Sequence, residues 1–194
     1  MRYEKGHKEN TRQQITEVAA EQFRDQGVSA VGLAAIMADA GLTNGAFYTH
    51  FSSKNDLVRE CVERTLDAQY ESMARTIGQN DLETILRQYL SPSHRDDRGH
   101  GCPSAALLPE ISRQSPETRH AYTVRFNAVV DLIARHLKGR EPEDANHTAR
   151  SIFALVVGSL QLARAVDDPA LSDDILEGAI ATVLKLARNP SATQ

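Results

Sequence analysis

Tryptophan is absent, cysteine occurs twice, and no apolar run approaches the roughly 18 residues that a membrane-crossing helix needs. Two cysteines, Cys61 and Cys102, are too few to staple a chain of 194 residues, so reduced thiols are expected. The opening MRYEKGHKEN has no apolar stretch of the kind a secretory signal carries. A cytoplasmic protein with no membrane partner is the simplest expectation. An excess of positive charge is also missing. There are 22 Lys and Arg against 26 Asp and Glu, a formal net charge of −4. Affinity for nucleic acid must therefore come from where charges sit, not from their total. The first twelve residues do lean basic, with Arg2, Lys5, Lys8 and Arg12 against Glu4 and Glu9. No alternating run bounded by turn residues signals a strand, and there is neither a repeat nor a low-complexity tract.

What the chain has is helix. From Thr11 to Gln26, Ile15, Val18, Ala19, Ala20 and Phe23 recur on one face, and Gly27 stops the run. Leu33, Ile36, Met37 and Ala40 make a short second stripe ending at Gly41. Thr43 can cap a third helix carrying Phe47, Tyr48 and Phe51, and Ser53 a fourth running to about Ile77. A fifth helix is expected from about Asp81 to Leu90. The polar stretch SPSHRDDRGHG, residues 91–101, reads as a loop. Further helices are expected over Cys102 to Gln114, from Ser115-Pro116 to about Lys138, from Pro142 to about Val166, and from Leu171 to Arg188. The prediction is an all-α fold of about nine helices.

Leu33 to Lys54 is the most informative stretch. Two short helices around Gly41-Leu42 have the length and break of a helix-turn-helix, over about residues 32–51. Gly41 suits a turn that requires positive φ. In such a motif the second helix enters the major groove; here it is Thr43-Asn44-Gly45-Ala46-Phe47-Tyr48-Thr49-His50. Phe47 and Phe51, four apart, face the core, which turns Asn44, Gly45, Tyr48 and His50 outward. Asn can bond adenine bidentately, and small residues let the backbone approach the bases. The Tyr48 hydroxyl and Lys54 are expected on phosphates, which fix register rather than sequence. The alternatives are a three-helix unit with no DNA function and a Tyr48 that packs inward.

The run GVSAVGLAAIMADAGLTNGAFYTHFSSKNDL, Gly27 to Leu57, resembles the signature of the TetR family of transcriptional regulators. That signature has a Gly, an Ala-rich helix, Gly-Val/Leu-Ser/Thr, then an aromatic-Tyr-x-His/Tyr-Phe-x-x-Lys-x-x-Leu run. Thr11-Arg12-x-x-Ile15 and Ala20-x-x-Phe23 resemble the family's first helix. The resemblance covers about a third of the chain. It implies a DNA-binding head over 9–69 and a helical ligand-sensing and dimerisation domain over 70–190. It gives DNA-facing roles to Thr43, Asn44, Gly45, Ala46, Tyr48, Thr49, His50 and Lys54. One departure is that the family's second helix usually begins with a Thr or Ser that touches a phosphate, whereas Val31-Gly32 stand here. The contact is expected to pass to backbone N–H groups near Gly32, and the capping role to Ser29.

Beyond residue 70 no portable motif occurs. Ser151 to Leu160 is apolar nearly all round, as in a helix buried on several sides. With Leu171 to Arg188 it resembles the family's final helix pair, which forms a four-helix bundle across a twofold axis; the alternative is a role in the monomer core alone. The family's effector pocket lies among its middle helices. Candidate lining residues are Tyr89, Leu107, Ile111, Tyr122, Phe126, Phe153 and Gln161, with ordinary core packing as the alternative for each.

Cys102, in His100-Gly101-Cys102-Pro103, stands at an expected helix start, where the dipole favours negative charge. Some members of the family carry Gly-Cys at a similar place, and certain of these sense electrophiles or oxidants. Cys102 is thus either a redox sensor or a small apolar packing residue. The spacing of His94, His100 and Cys102 matches no standard structural zinc pattern, so no metal is expected. The resemblance implies a homodimeric repressor, released from a palindromic double-stranded DNA operator by a small-molecule effector or by modification of Cys102, with no cofactor. Against an enzyme stands the lack of any nucleophile and base at a readable spacing. A dimer that kept the fold without DNA specificity is the third reading.

Overall fold

The computed structural model describes residues 3–137 and 139–188. Those residues form nine α-helices, one 3-10 segment and no strand. The helices are α1 (Tyr3–Gln26), α2 (Leu33–Asp39), α3 (Lys54–Gln79), α4 (Leu82–Tyr89), α5 (Pro92–Asp96), α6 (Pro103–Ile111), α7 (Pro116–Ala134), α8 (Pro142–Ala165) and α9 (Pro169–Arg188). Among the described residues no helix is long and apolar enough to cross a membrane.

Two apolar clusters organise the chain. The first gathers Ile15, Ala19 and Phe23 of α1, Ile36 and Met37 of α2, Phe47 and Phe51, and Leu57, Val58, Cys61, Val62 and Leu66 of α3. The second is built on α7, α8 and α9, with Val129, Ile152, Phe153, Leu160, Leu176, Ile180 and Val183 among its buried members. Two helices belong to both. The first half of α3 lies in the head cluster, while Tyr70 and Met73 pack on the second. Helix α6 gives Cys102 and Ala105 to the body but Leu107 and Ile111 to the head. Leu107 and Ile111, expected to line a ligand pocket, are instead head-core residues. Their spacing of four signals burial correctly but cannot say against what.

The breaks follow local chemistry. Gly27, at φ 88°, ends α1, its N–H donating to Phe23 O at 2.9 Å. Gly41, at φ 68°, closes α2: its N–H reaches Ala38 O, and that of Leu42 reaches Met37 O, a 5→2 and 6→1 pair. Ser53 caps α3 by accepting the Asp56 N–H at 3.1 Å. The segment read as a loop contains a helix, α5. Ser91 accepts the His94 N–H at 3.2 Å, Pro92 occupies the first turn, and Arg164 of α8 donates to the carbonyls of His94 and Arg95 at 2.9 Å each. Helix α7 ends at Ala134, short of the expected end near Lys138, a residue that lies outside those described.

Candidate functional site

The recognition segment is Asn44–Thr49, wound as a 3-10 helix rather than an α-helix. Phe47 is fully buried and stacks on Phe51, with centroids 5.5 Å apart. That anchor turns Thr43, Asn44, Gly45, Tyr48 and Thr49 to the outside and leaves Ala46 and His50 half-buried. Tyr48 is 69% exposed, its ring edge-on to Phe47. Thr43 takes the N-cap position without a side-chain cap bond, and Thr49 Oγ1 donates back to Ala46 O at 2.7 Å. His50 carries a buried Nδ1 with no protein partner; burial first, then Lys8, Arg12 and His7, hold its pKa below the ordinary histidine value. Lys8 and Arg12 place positive charge from α1 beside the recognition segment.

Arg12 joins three elements of the head. It bonds Glu60 of α3, donates to His50 O, and lies 4.1 Å over the Phe51 ring. Glu60 also accepts the Thr16 hydroxyl at 3.2 Å. Lys54, expected on phosphate, has another task. Its ammonium donates to Val28 O and Val31 O at 2.6 Å each, pinning the α1–α2 turn to the start of α3. Ser29 does not cap α2. Its N–H and that of Val28 donate to Glu110 of α6 at 3.1 and 3.0 Å. Helix α2 starts at an exposed Gly32 with no side-chain cap.

Glu110 is a long-range tie that sequence reasoning missed, and no local signal could have found it, because its partners lie 81 and 82 residues away. It ties helix α6 to the turn that precedes α2.

Two cavities of about 340 Å³ each lie in the body and share the wall formed by Gln69, Met73 and Tyr89. One, between α3, α4, α7 and α8, is apolar, with Ile85, Leu86, Ile133, Ile152 and Phe153 among its lining. The other is more polar and is lined by Arg24, His94, His100 and Cys102. Of the seven expected ligand residues, Tyr89 and Phe153 line the apolar cavity. Phe126 lies edge-on to Phe153 and stacks on Tyr122 behind that wall. Gln161 instead donates to Ala105 O at 3.1 Å. Gln69 was not anticipated. The signal was present, since it is a polar residue at the four-residue spacing of Met73 and Ile77 on one face of α3.

Cys102 is buried, at the N-cap position of α6. Its sulfur accepts the Gln69 amide N–H at 3.1 Å, and its backbone N–H donates to His94 Nε2 at 2.9 Å. With Nε2 accepting, His94 carries its proton on Nδ1 and donates it to Tyr89 O at 2.6 Å. Burial keeps the His94 pKa below the ordinary value. Cys61, in contrast, is sealed in the head cluster, where burial pushes its thiol pKa strongly up. Among the described residues no group of three or more His, Cys, Asp or Glu could hold a metal ion.

Comparison with known proteins agrees with this geometry. Residues 15–61 match the family described as "Bacterial regulatory proteins, tetR family". Residues 80–183 match the "Transcriptional regulator LmrA/YxaF-like, C-terminal domain". Among curated relatives, the HTH-type transcriptional regulator AcrR of Shigella flexneri is 40% identical over 75 residues, covering 39% of this chain and 31% of that protein. The HTH-type transcriptional activator FasR of Mycolicibacterium smegmatis is 25% identical over 181 residues, 89% of this chain and 81% of that one. Among solved structures, a TetR transcriptional regulator from Chloroflexus aurantiacus superposes with a TM-score of 0.78 at 23% identity, over 98% of each chain. The reduced form of Escherichia coli NemR gives 0.75 at 22% identity, over 91% of this chain and 97% of that one. These two structures share the fold, and the family matches take in both the head and the body. The chain belongs to the TetR family of helix-turn-helix transcriptional regulators.

Proposed function

We propose that the protein is a cytoplasmic repressor that binds a palindromic operator as a homodimer and is released by a small molecule held among its middle helices. The observation that carries the DNA half is the outward presentation of Asn44, Gly45 and Tyr48 around the buried Phe47. In this assignment Thr43, Asn44, Gly45, Ala46 and Thr49 approach the bases, while Tyr48, His50 and the backbone at Gly32 meet phosphates. Division of labour falls near residue 70, with a DNA-binding head over 9–69 and a sensing and pairing body over 70–190.

Pairing is supported by the outer face of α8 and α9. Leu162 is 59% and Leu171 47% exposed, beside exposed Ala154, Gly178 and Ala181. Small residues there let a partner's helices approach closely. Two recognition segments one DNA turn apart, or a multiple of it, would then read an inverted repeat.

Ligand response is supported by the shared helices. Gln69, Met73 and Ile77 of α3 line the apolar cavity, and the other end of α3 holds Lys54 against the head. A ligand that prefers a displaced α3 shifts the population toward a form with wrongly spaced recognition segments, by its difference in affinity for the two forms. A second route is modification of Cys102, favoured by the position of its sulfur on a cavity wall under the Gln69 amide. If Cys102 resists alkylation in the folded protein but reacts in urea, that route is removed.

The test is a mobility-shift titration on the DNA upstream of the protein's own gene over a series of salt concentrations. Sequence-selective binding that weakens steeply with salt is expected. Absence of selective binding would leave a dimer of this fold without operator function.

A further inference from the structure

The apolar cavity is not uniformly apolar. At the wall it shares with its neighbour, two polar atoms are buried without a protein partner: Gln69 Oε1 and the Tyr89 hydroxyl oxygen. Both side chains converge on Cys102. The Gln69 amide bonds its sulfur at 3.1 Å, and the same sulfur, after burial, helps to push the Tyr89 pKa well above the ordinary value. A buried polar group left unpaired costs free energy, so two on one wall mark a place where a ligand's polar group completes the bonding.

The rest of the lining says what that ligand is. Ile77, Leu82, Ile85, Leu86, Leu137 and Val156 make a mostly aliphatic surround, to which Phe153 and Tyr89 add two aromatic rings. No Lys or Arg lines this cavity, and Asp81 is the one acid. Arg24 stands in the neighbouring cavity and donates to Gly99 O at 2.5 Å. His136 also lines the apolar cavity, with its Nδ1 against Leu132 O at 2.8 Å. A carboxylate would therefore meet no permanent counter-charge and lose its hydration. The volume of about 340 Å³ lies at the small end of the range for organic ligands, about 300–1,000 Å³.

We propose that this cavity binds an uncharged aliphatic alcohol, with the hydrocarbon chain among the Ile and Leu side chains and the hydroxyl between the Gln69 amide and the Tyr89 hydroxyl. A hydroxyl both donates and accepts, so it satisfies an acceptor and a phenol at once, and does so whichever end of the Gln69 amide faces it. The site deepens the ligand-responsive function above and relies on it only for the consequence at DNA; binding itself can be measured without DNA.

The experiment is calorimetric titration of the full chain with 1-octanol, its isomer 1-methoxyheptane and octanoate. The alcohol is expected to bind about tenfold or more tighter than the ether, with octanoate weakest. Lengthening the alcohol should tighten binding about fourfold per methylene until the cavity is full. In the Gln69→Leu/Tyr89→Phe double variant the alcohol and ether should bind within about twofold of each other, each single variant lying between. Equal binding of alcohol and ether by wild type, tighter binding of octanoate, a preference that survives the double substitution, or no binding at any chain length would overturn the site. Alcohol binding that leaves the DNA complex intact would support the site and contradict release by this ligand.

Discussion

Val28 is held through both its backbone N–H and its carbonyl by residues from different parts of the chain: Glu110 accepts its N–H at 3.0 Å, and Lys54 donates to its carbonyl at 2.6 Å. Glu110 sits near the end of α6, whose N-cap residue, Cys102, lines the polar cavity. The turn between α1 and α2 is thus clamped between α6 and the first residue of α3.

Glu110→Ala is expected to destabilise the protein by about 1–2 kcal/mol, since the N–H groups of Val28 and Ser29 and the Ser29 hydroxyl lose a charged acceptor and turn to water. Urea denaturation reads the loss. In the DNA assay the same variant should bind its operator but need more effector for release. An effector response identical to that of wild type would remove Glu110 from the coupling path.

Lys54→Met separates clamp from phosphate contact. A phosphate contact adds about 0.9 to the slope of log K against log salt, whereas a positioning role adds nothing. With its ammonium on Val28 O and Val31 O, loss of Lys54 should weaken operator binding at every salt concentration and leave the slope unchanged. A slope lower by about one would restore the phosphate role.

Tyr48→Ala should weaken binding to all sequences alike, because a phosphate contact carries no base information. Asn44→Ala should cost about 1–3 kcal/mol at one base pair and relax the preference there. Competition against a library with each operator position varied distinguishes the two patterns; a Tyr48→Ala protein that binds like wild type would end its assignment.

His94 links stability to pH. Burial keeps its folded-state pKa below the unfolded value of about 6.5. The unfolded chain therefore takes up this proton first as pH falls. Stability should begin to fall near pH 6.5, decline until the folded-state pKa is passed, and be unaffected by this group above about pH 7.5. Urea midpoints of wild type and His94→Gln between about pH 5 and 8 should diverge in that window and run parallel above it.

Much of this was legible in the sequence. Gly27, Gly41 and Ser53 fixed the ends of the head helices because each acts through its own backbone or the next turn. Phe47 and Phe51 told which side of the recognition segment faces inward, although its 3-10 winding was not readable from six residues. The same Ser-Pro signal that announces α7 at Ser115-Pro116 also stands at Ser91-Pro92, where a polar surround masks it and Arg164 completes the helix from afar. Leu107 and Ile111 read as buried, which they are, but an apolar stripe does not name the surface that covers it. Lys54 and Glu110 were beyond reach for a related reason, since charged residues on short motifs acquire their partners only when distant elements meet.

The most direct test of the central claim is a hydroxyl-radical footprint of the wild-type protein on its operator. Two equivalent protected patches, related by a twofold axis and centred one helical turn or a whole multiple apart, are the predicted result. A single asymmetric patch, or none at low salt, would contradict a paired, outward-facing Asn44–Thr49 segment as the reader of DNA.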